Sequence, residues 1–134
     1  MDIFQVANQI FDAQPFTQLL KAELLDMGKQ NATIRVAISD DLKQQHGFAH
    51  GGVLSYLADN SITFAGGIAL GGDALTSEYK INYMRPATGS ALLARARAVS
   101  VGKRQAVCIS EIYAVDGDSE NLCAIAQGTV IKAS

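Results

Sequence analysis

The sequence predicts an α+β fold in which a curved antiparallel sheet wraps around one long central helix. Three observations carry this. Residues 50–72, HGGVLSYLADNSITFAGGIALGG, contain no proline, are flanked by glycine pairs and are apolar around most of a helical circumference. After Gly72 the chain alternates apolar and polar residues through a series of strands. No other stretch supplies a long apolar helix, so the simplest way to cover the apolar face of those strands is to wrap them around residues 51–70. With 134 residues, one domain over 1–134 is expected.

In chain order, Ile3, Phe4, Ala7, Ile10 and Phe11 recur at helical spacing, which predicts a short amphipathic helix over 2–12. Pro15 ends that helix or follows its end. Residues 17–27 are ambiguous and can be read as a strand, because 32–38 (ATIRVAI) alternates clearly and 28–31 looks like a turn. Residues 39–49 are polar and aperiodic, hence a loop. In the long helix, Gly52, Ser55, Asp59 and Thr63 form a narrow small and polar stripe on an otherwise apolar cylinder. In the following strand, strict alternation puts Ser77, Tyr79, Ile81 and Tyr83 on one face and Thr76, Glu78, Lys80 and Asn82 on the other. Further strands are expected over 90–101, 105–115 and 121–132, the last two joined by the turn-rich DGDSEN, giving four strands in meander. Arg95 and Arg97 read as solvated edge charges. Tyr79 and Tyr83 read as sheet packing.

Composition narrows the function. The chain is 49% hydrophobic and 18% charged with a net charge of −2. That fits a packed globular protein and offers no bulk positive charge for a nucleic-acid backbone or an anionic membrane. No stretch approaches the roughly 18 apolar residues of a membrane span. The N-terminus carries Asp2 and lacks a basic region, which argues against a signal peptide. Cys108 and Cys123 sit in strand-like runs without a CxxC pair, so reduced core residues in a cytoplasmic protein are expected, with a disulfide between them the lesser alternative. Two histidines and scattered carboxylates show no metal-ligand spacing, and no serine nucleophile elbow is present. Neither a metal nor a cofactor is implied.

Two features suggest chemistry. Asp59 is a lone carboxylate amid Leu57, Ala58 and Ile62, with no basic residue within a helical turn. Burying it costs several kcal/mol unless it is paired or hydrogen-bonded, of order ~5 kcal/mol for an unpaired charge. The plain alternative is a structural Asp bonded to backbone. His50-Gly51-Gly52 stands at the helix start, where backbone N–H groups at the positive end of the helix dipole can bind an anion or stabilise an oxyanion. Gly51 and Asp59 are eight residues apart on one helix, about 12 Å along its axis. A reacting carbonyl must lie ~3 Å from both its oxyanion donor and its attacker or base. One copy of the helix cannot supply both, whereas a second, antiparallel copy can, which predicts a symmetric homodimer with two shared sites.

The segment Gly47-Phe48-Ala49-His50-Gly51-Gly52-Val53 followed by Leu57-Ala58-Asp59 resembles the signature of hotdog-fold acyl-CoA thioesterases of the phenylacetate-degradation (PaaI) type. The later Ile81-Asn82-Tyr83-Met84-Arg85-Pro86-Ala87, Gly89 and Val101-Gly102-Lys103 are similar to that family's next strands. The resemblance implies a hotdog fold, dimers that join their sheets and a dimer of dimers in many members. It implies hydrolysis of an acyl- or aryl-CoA to free acid and coenzyme A, with Asp59 as base or nucleophile. It further implies that the Gly51 amide polarises the carbonyl, that His50 helps hold the thioester and that Thr76 helps place water. Many members have an asparagine six residues before the histidine, where this chain has Gln44, one methylene longer. Gly52 belongs to the same substrate-binding turn, and Arg85, Lys103 and Arg104 are candidates to meet coenzyme A phosphates. The other class of reading is a non-catalytic acyl-CoA-binding protein or sensor on the same fold. A hotdog dehydratase fits less well, because the HGG-to-Asp arrangement differs from a closely spaced Asp and His pair.

Overall fold

A computed structural model describes residues 2–133. The expected first helix is α1 (Ile3–Asp12). The Asp2 carboxylate accepts from the Gln5 N–H at 2.8 Å and the Gln5 side chain accepts from the Asp2 N–H at 3.0 Å, a reciprocal cap that satisfies two otherwise orphaned donors. Pro15 does more than follow this helix. It opens a second one, α2 (Pro15–Leu20), in the first helical position where its missing N–H costs nothing. The ambiguous 17–27 segment is therefore divided between α2 and strand β1 (Glu23–Met27), with Lys21 in the left-handed region between them. Strand β2 (Asn31–Ala37) follows the predicted turn, and the polar loop holds a 3-10 turn at Asp40–Leu42.

The long helix is α3 (Gly51–Leu70), ended by Gly71 at φ 83°, a left-handed cap that glycine adopts without strain. Then come β3 (Ala74–Tyr83), β4 (Ala91–Val101), β5 (Gln105–Asp116) and β6 (Ser119–Lys132). The β5–β6 turn is tighter than DGDSEN suggests, since Asp116 already pairs with Ser119 across Gly117. The sheet order is β1-β2-β4-β5-β6-β3, all neighbours antiparallel. This corrects the four-strand meander. β4, β5 and β6 are joined by tight hairpins, but β3 lies beyond β6 at the sheet edge. Residues 84–90 make the crossing possible: extended, they reach ~23 Å, against ~14 Å for three strand spacings.

The sheet curls around α3 as expected. Leu57, Ala58, Ile62 and Ala65 are fully covered. The inner face of β4 presents Leu92, Ala94, Ala96 and Ala98, three of them small enough to let the helix approach. At Gly66 the approach leaves no room for a side chain, since a Cβ would stand 2.8 Å from the Val130 side chain. A fully buried polar contact between helix and sheet, Ser61 to Ser110 at 2.8 Å, is satisfied. Arg95 and Arg97 do not lie on an edge, because β4 is flanked by β2 and β5. They stand on its outer face, Arg95 forked onto Glu120 at 2.8 and 3.1 Å and over the Tyr113 ring, Arg97 near Glu111. Cys108 and Cys123 are buried and unbridged.

Candidate active site

The helix start is built from its own sequence. His50 is the N-cap of α3, with extended backbone angles, and its Nδ1 accepts from the Gly52 N–H at 2.8 Å. Accepting there puts the imidazole proton on Nε2, which stands exposed as a donor. The Gly52 amide is thus spent. Among the described residues the Gly51 N–H has no hydrogen-bond partner, as the first helical position requires. Of the two glycines, Gly51 is the one with a donor to offer. Its carbonyl accepts from the Tyr83 hydroxyl at 3.1 Å, and the Tyr83 ring sits 3.4 Å from where a Cβ would be. An open groove of about 670 Å³ runs past this point, and Gln44, His50, Gly51, Gly52 and Arg85 all line it. Gln44 uses its side-chain oxygen to accept from the His46 N–H, which holds its own loop and leaves the amide NH2 as its free donor. His46 is exposed.

Asp59 is placed differently. The sequence predicts a buried carboxylate, but in the single chain Asp59 is half-buried. The reason is topological: the stripe that carries it faces β3, and β3 is an edge strand with no neighbour on its far side. Ser55 bonds the Tyr79 hydroxyl and Thr63 bonds the Thr76 hydroxyl, so the stripe lies along that strand with Gly51 at the Tyr83 end. The Thr63 hydroxyl donates to the Asp59 carbonyl at 2.8 Å and stands 3.5 Å from the Asp59 carboxylate. With the Thr63 proton so used, Thr76 must donate to Thr63, and the Thr76 oxygen keeps lone pairs free for a water proton.

Strict alternation puts Thr76 on the face opposite Tyr79. A bulge between Thr76 and Glu78 shifts the register by one and returns Thr76 to the helix side with Tyr79 and Ile81. Tyr79 and Tyr83 are accordingly helix contacts rather than sheet packing. Thr63 and Tyr83 are the site residues that sequence reasoning missed. Thr63 was legible as the i+4 neighbour of Asp59 on the stripe. For Tyr83 the only signal was its place directly before the Met-Arg-Pro run.

The charged candidates separate. Arg85 lies just past the Tyr83 end of β3, whereas Lys103 and Arg104 are at the β4–β5 turn. There the Arg104 carbonyl accepts from Lys132, which pairs with Ala74 at the other end of β3. Ten strand residues at ~3.3 Å each put ~30 Å between the two ends. The structure therefore brings Gln44, His50, Gly51, Gly52 and Arg85 together, brings Asp59 and Thr76 together through Thr63, and joins neither group to Lys103 and Arg104 within one chain.

Comparison with known proteins sets the class. The sequence profile of the thioesterase superfamily matches residues 46–120, more than half of the chain. The chain belongs to the thioesterase superfamily. A thioesterase family protein from Silicibacter pomeroyi superposes with a TM-score of 0.90 at 27% identity over 96% of both chains. The PaaI protein of the Escherichia coli phenylacetic acid degradation operon superposes with a TM-score of 0.87, covering 98% of this chain and 93% of that one. At its 23% identity the likeness is one of fold, and it is the hotdog fold. A Saccharolobus solfataricus relative with a provisional esterase name is 29% identical over 91% of this chain and 80% of its own length. Superfamily membership places this protein among thioester hydrolases. No helix among the described residues is long and apolar enough to cross a membrane.

Proposed function

We propose that this protein hydrolyses acyl-CoA thioesters to a free acid and coenzyme A, at sites shared between two chains. The observation that supports it most is the Gly51 N–H, left unpartnered at the N-terminus of α3 while its neighbour Gly52 is tied to His50. A thioester oxygen placed on that amide meets the positive end of the helix dipole, and donation strengthens as the carbonyl becomes an oxyanion. The His50 Nε2–H and the free Gln44 amide open on the same groove.

The carboxylate comes from the partner. Asp59 lies ~12 Å down the axis from Gly51 on the same helix, too far to share one carbonyl. Antiparallel pairing of the free β3 edges about a two-fold axis reverses the second α3 and carries the partner's Asp59 toward Gly51. The same operation brings the partner's Lys103 and Arg104 turn toward the Arg85 end, which resolves the ~30 Å separation. As base, Asp59 takes a proton from a water held on Thr76. The water oxygen adds to the carbonyl, the C–S bond breaks, and the thiolate leaves with the proton that Asp59 holds. As nucleophile, Asp59 adds to the carbonyl, the C–S bond breaks to leave a mixed anhydride and the coenzyme A thiolate, and water then opens the anhydride, releasing the acid, freeing Asp59 and supplying the thiolate's proton. A dimer of dimers is the assembly in which we place these sites.

The test is thiol release from a panel of aryl- and alkyl-CoA esters by the unmodified protein. Steady turnover supports hydrolysis. Saturable binding without thiol release makes the protein an acyl-CoA sensor instead.

A further inference from the structure

The Gly51–Gly52 peptide carries a hydrogen bond at each end. Its carbonyl accepts from the Tyr83 hydroxyl at 3.1 Å, and its N–H donates to His50 Nδ1 at 2.8 Å. The two bonds run through one conjugated amide and so strengthen each other. A donor on the oxygen draws electron density from the nitrogen and makes the N–H a better donor. Tyr83 is thereby connected through the backbone to the His50 imidazole.

The local build favours this chain of bonds. A Cβ at position 52 would stand 3.0 Å from His50 Nδ1 and 3.4 Å from its Cε1, so the glycine leaves the imidazole room to lie on that amide. A Cβ at position 51 would meet the Tyr83 ring at 3.4 Å, so the ring rests closely on the helix start. Both partners are fastened. Tyr83 closes the paired part of β3 opposite Ala124, and the next N–H, that of Met84, donates to the Cys123 carbonyl at 2.8 Å. On the other side the Ala49 N–H donates to the Ala87 carbonyl at 3.0 Å. The segment before the helix and the segment after the strand are thus laced together around the contact between Tyr83 and Gly51.

We infer that Tyr83 is a positioning residue for His50: through the Gly51–Gly52 peptide, its hydroxyl keeps Nδ1 as the acceptor and Nε2–H as the donor offered to the groove. The inference rests on the thioesterase reading, in which that Nε2–H holds the thioester, and adds to the site a residue that acts through another. A free imidazole exchanges its proton between its two nitrogens, and only the Nε2–H form can both cap the helix and donate to a ligand. Each opening of the Gly52 bond releases the ring to rotate and to change tautomer, so the strength of that bond sets how constantly the donor is aimed. The Tyr83 ring supplies packing against Gly51 and the hydroxyl supplies the polarisation. Phenylalanine separates the two, because it keeps the ring and deletes the donor.

The experiment compares Tyr83→Phe with the unmodified protein by NMR and by thiol release. With histidine and glycine labelled with nitrogen-15, at pH ~8 and so above the ordinary histidine value of ~6.5, the spectra report which imidazole nitrogen holds the proton and where the Gly52 amide proton resonates. The chain has two histidines, so His46→Gln assigns the signals. The unmodified protein should show His50 as the Nε2–H tautomer and the Gly52 proton at low field. Tyr83→Phe should move the Gly52 proton upfield, speed its exchange with solvent and bring in the second tautomer. Tyr79→Phe, which removes a hydroxyl bonded to Ser55 on the same strand, should move neither signal. By thiol release, kcat/KM of Tyr83→Phe should fall about fivefold, the scale of one hydrogen bond. On a His50→Asn background the helix keeps a cap but the imidazole is gone, and there the same substitution should cost less than about twofold. Folding of each variant is checked by circular dichroism. If the His50→Asn chain is unfolded or too slow to assay, the NMR signals decide alone. Unmoved Gly52 and His50 signals in Tyr83→Phe overturn the inference and leave the proposed hydrolysis standing. An equal fall on both backgrounds does the same, since Tyr83 would then support the helix start without acting through His50. No thiol release from any ester overturns the thioesterase reading and this role with it.

Discussion

The two ends of the candidate site differ in how much of themselves one chain supplies. At the start of α3 the parts are in place: His50 caps the helix, Gly52 is bonded to it, Tyr83 holds the Gly51 carbonyl, and Gly51, its N–H unpartnered among the described residues, lines a groove. Two turns on, Asp59 stands half-buried beside an edge strand, with Thr63 its one side-chain partner among the described residues. A preorganised donor needs no neighbour, because the helix itself orients it. On the proposed reading the carboxylate acts in a dry site and needs a wall, and the strand it lies along, β3, is an open edge of the sheet. On the proposed reading, the contrast makes the oxyanion half a property of the fold and the carboxylate half a property of the assembly.

The largest effect should come from Asp59→Asn, nearly isosteric but unable to take a proton or attack. We expect kcat to fall by about 10²-fold or more with an unchanged circular dichroism spectrum. Full turnover in the variant would remove Asp59 from the mechanism and, with it, one side of the comparison. Gly51→Pro deletes the other side's donor. The structure makes this substitution clean: Gly51 is the first helical residue, where proline is favoured, and His50 already has the extended angles that a following proline demands, φ −64° and ψ 139°. A loss of about 10²- to 10³-fold in kcat is expected.

Combining the two variants tests whether the ends belong to different chains. A doubly tagged heterodimer of Asp59→Ala and Gly51→Pro chains has one site with both lesions and one with neither, so about half of the wild-type activity should return by two-fold symmetry. Inactive heterodimers of folded chains would put both groups of each site on one chain. Thr63→Val removes the hydroxyl next to Asp59 without changing shape. One hydrogen bond of about 1 kcal/mol corresponds to roughly a fivefold loss in kcat, with KM unchanged. An unchanged kcat would leave Thr63 as a helix residue only.

The smallest expected effect concerns the core that both ends share. Burial pushes the Cys108 thiol up to about 11. An acid whose pKa rises on folding holds its proton longer in the native state, so it costs nothing below the unfolded value near ~8.5 and destabilises progressively as pH rises from there toward 11. Stability measured by denaturant should decline more steeply across that range in the parent than in Cys108→Ala. An equal decline would show that other groups dominate.

Much of the fold was legible because its signals are local. The 20-residue apolar helix, its HGG start and its glycine end can be read from periodicity and from what each residue permits the backbone to do. So can the hairpins of β4, β5 and β6. The groove residues His50, Gly51 and Gly52 were found for the same reason: they are adjacent in sequence and act through backbone geometry.

What failed were inferences that treated a local pattern as if it fixed a neighbour. The meander failed because alternation says which residues share a face but not which strand lies alongside. The face of Thr76 failed because one bulge inverts a period of two. The burial of Asp59 failed because a helix pattern cannot show that the strand beside it is an edge. Tyr83 was read as packing because a contact across 32 residues leaves no mark in either segment. By itself, then, the sequence determined the helix, its unsatisfied amide and the carboxylate two turns away, all products of backbone preference and side-chain type. Only the tertiary structure decided which hydroxyls reach Asp59 and that β3 stays at an edge, because these depend on strand order and register, and pairing between distant segments is settled by packing the whole sheet at once.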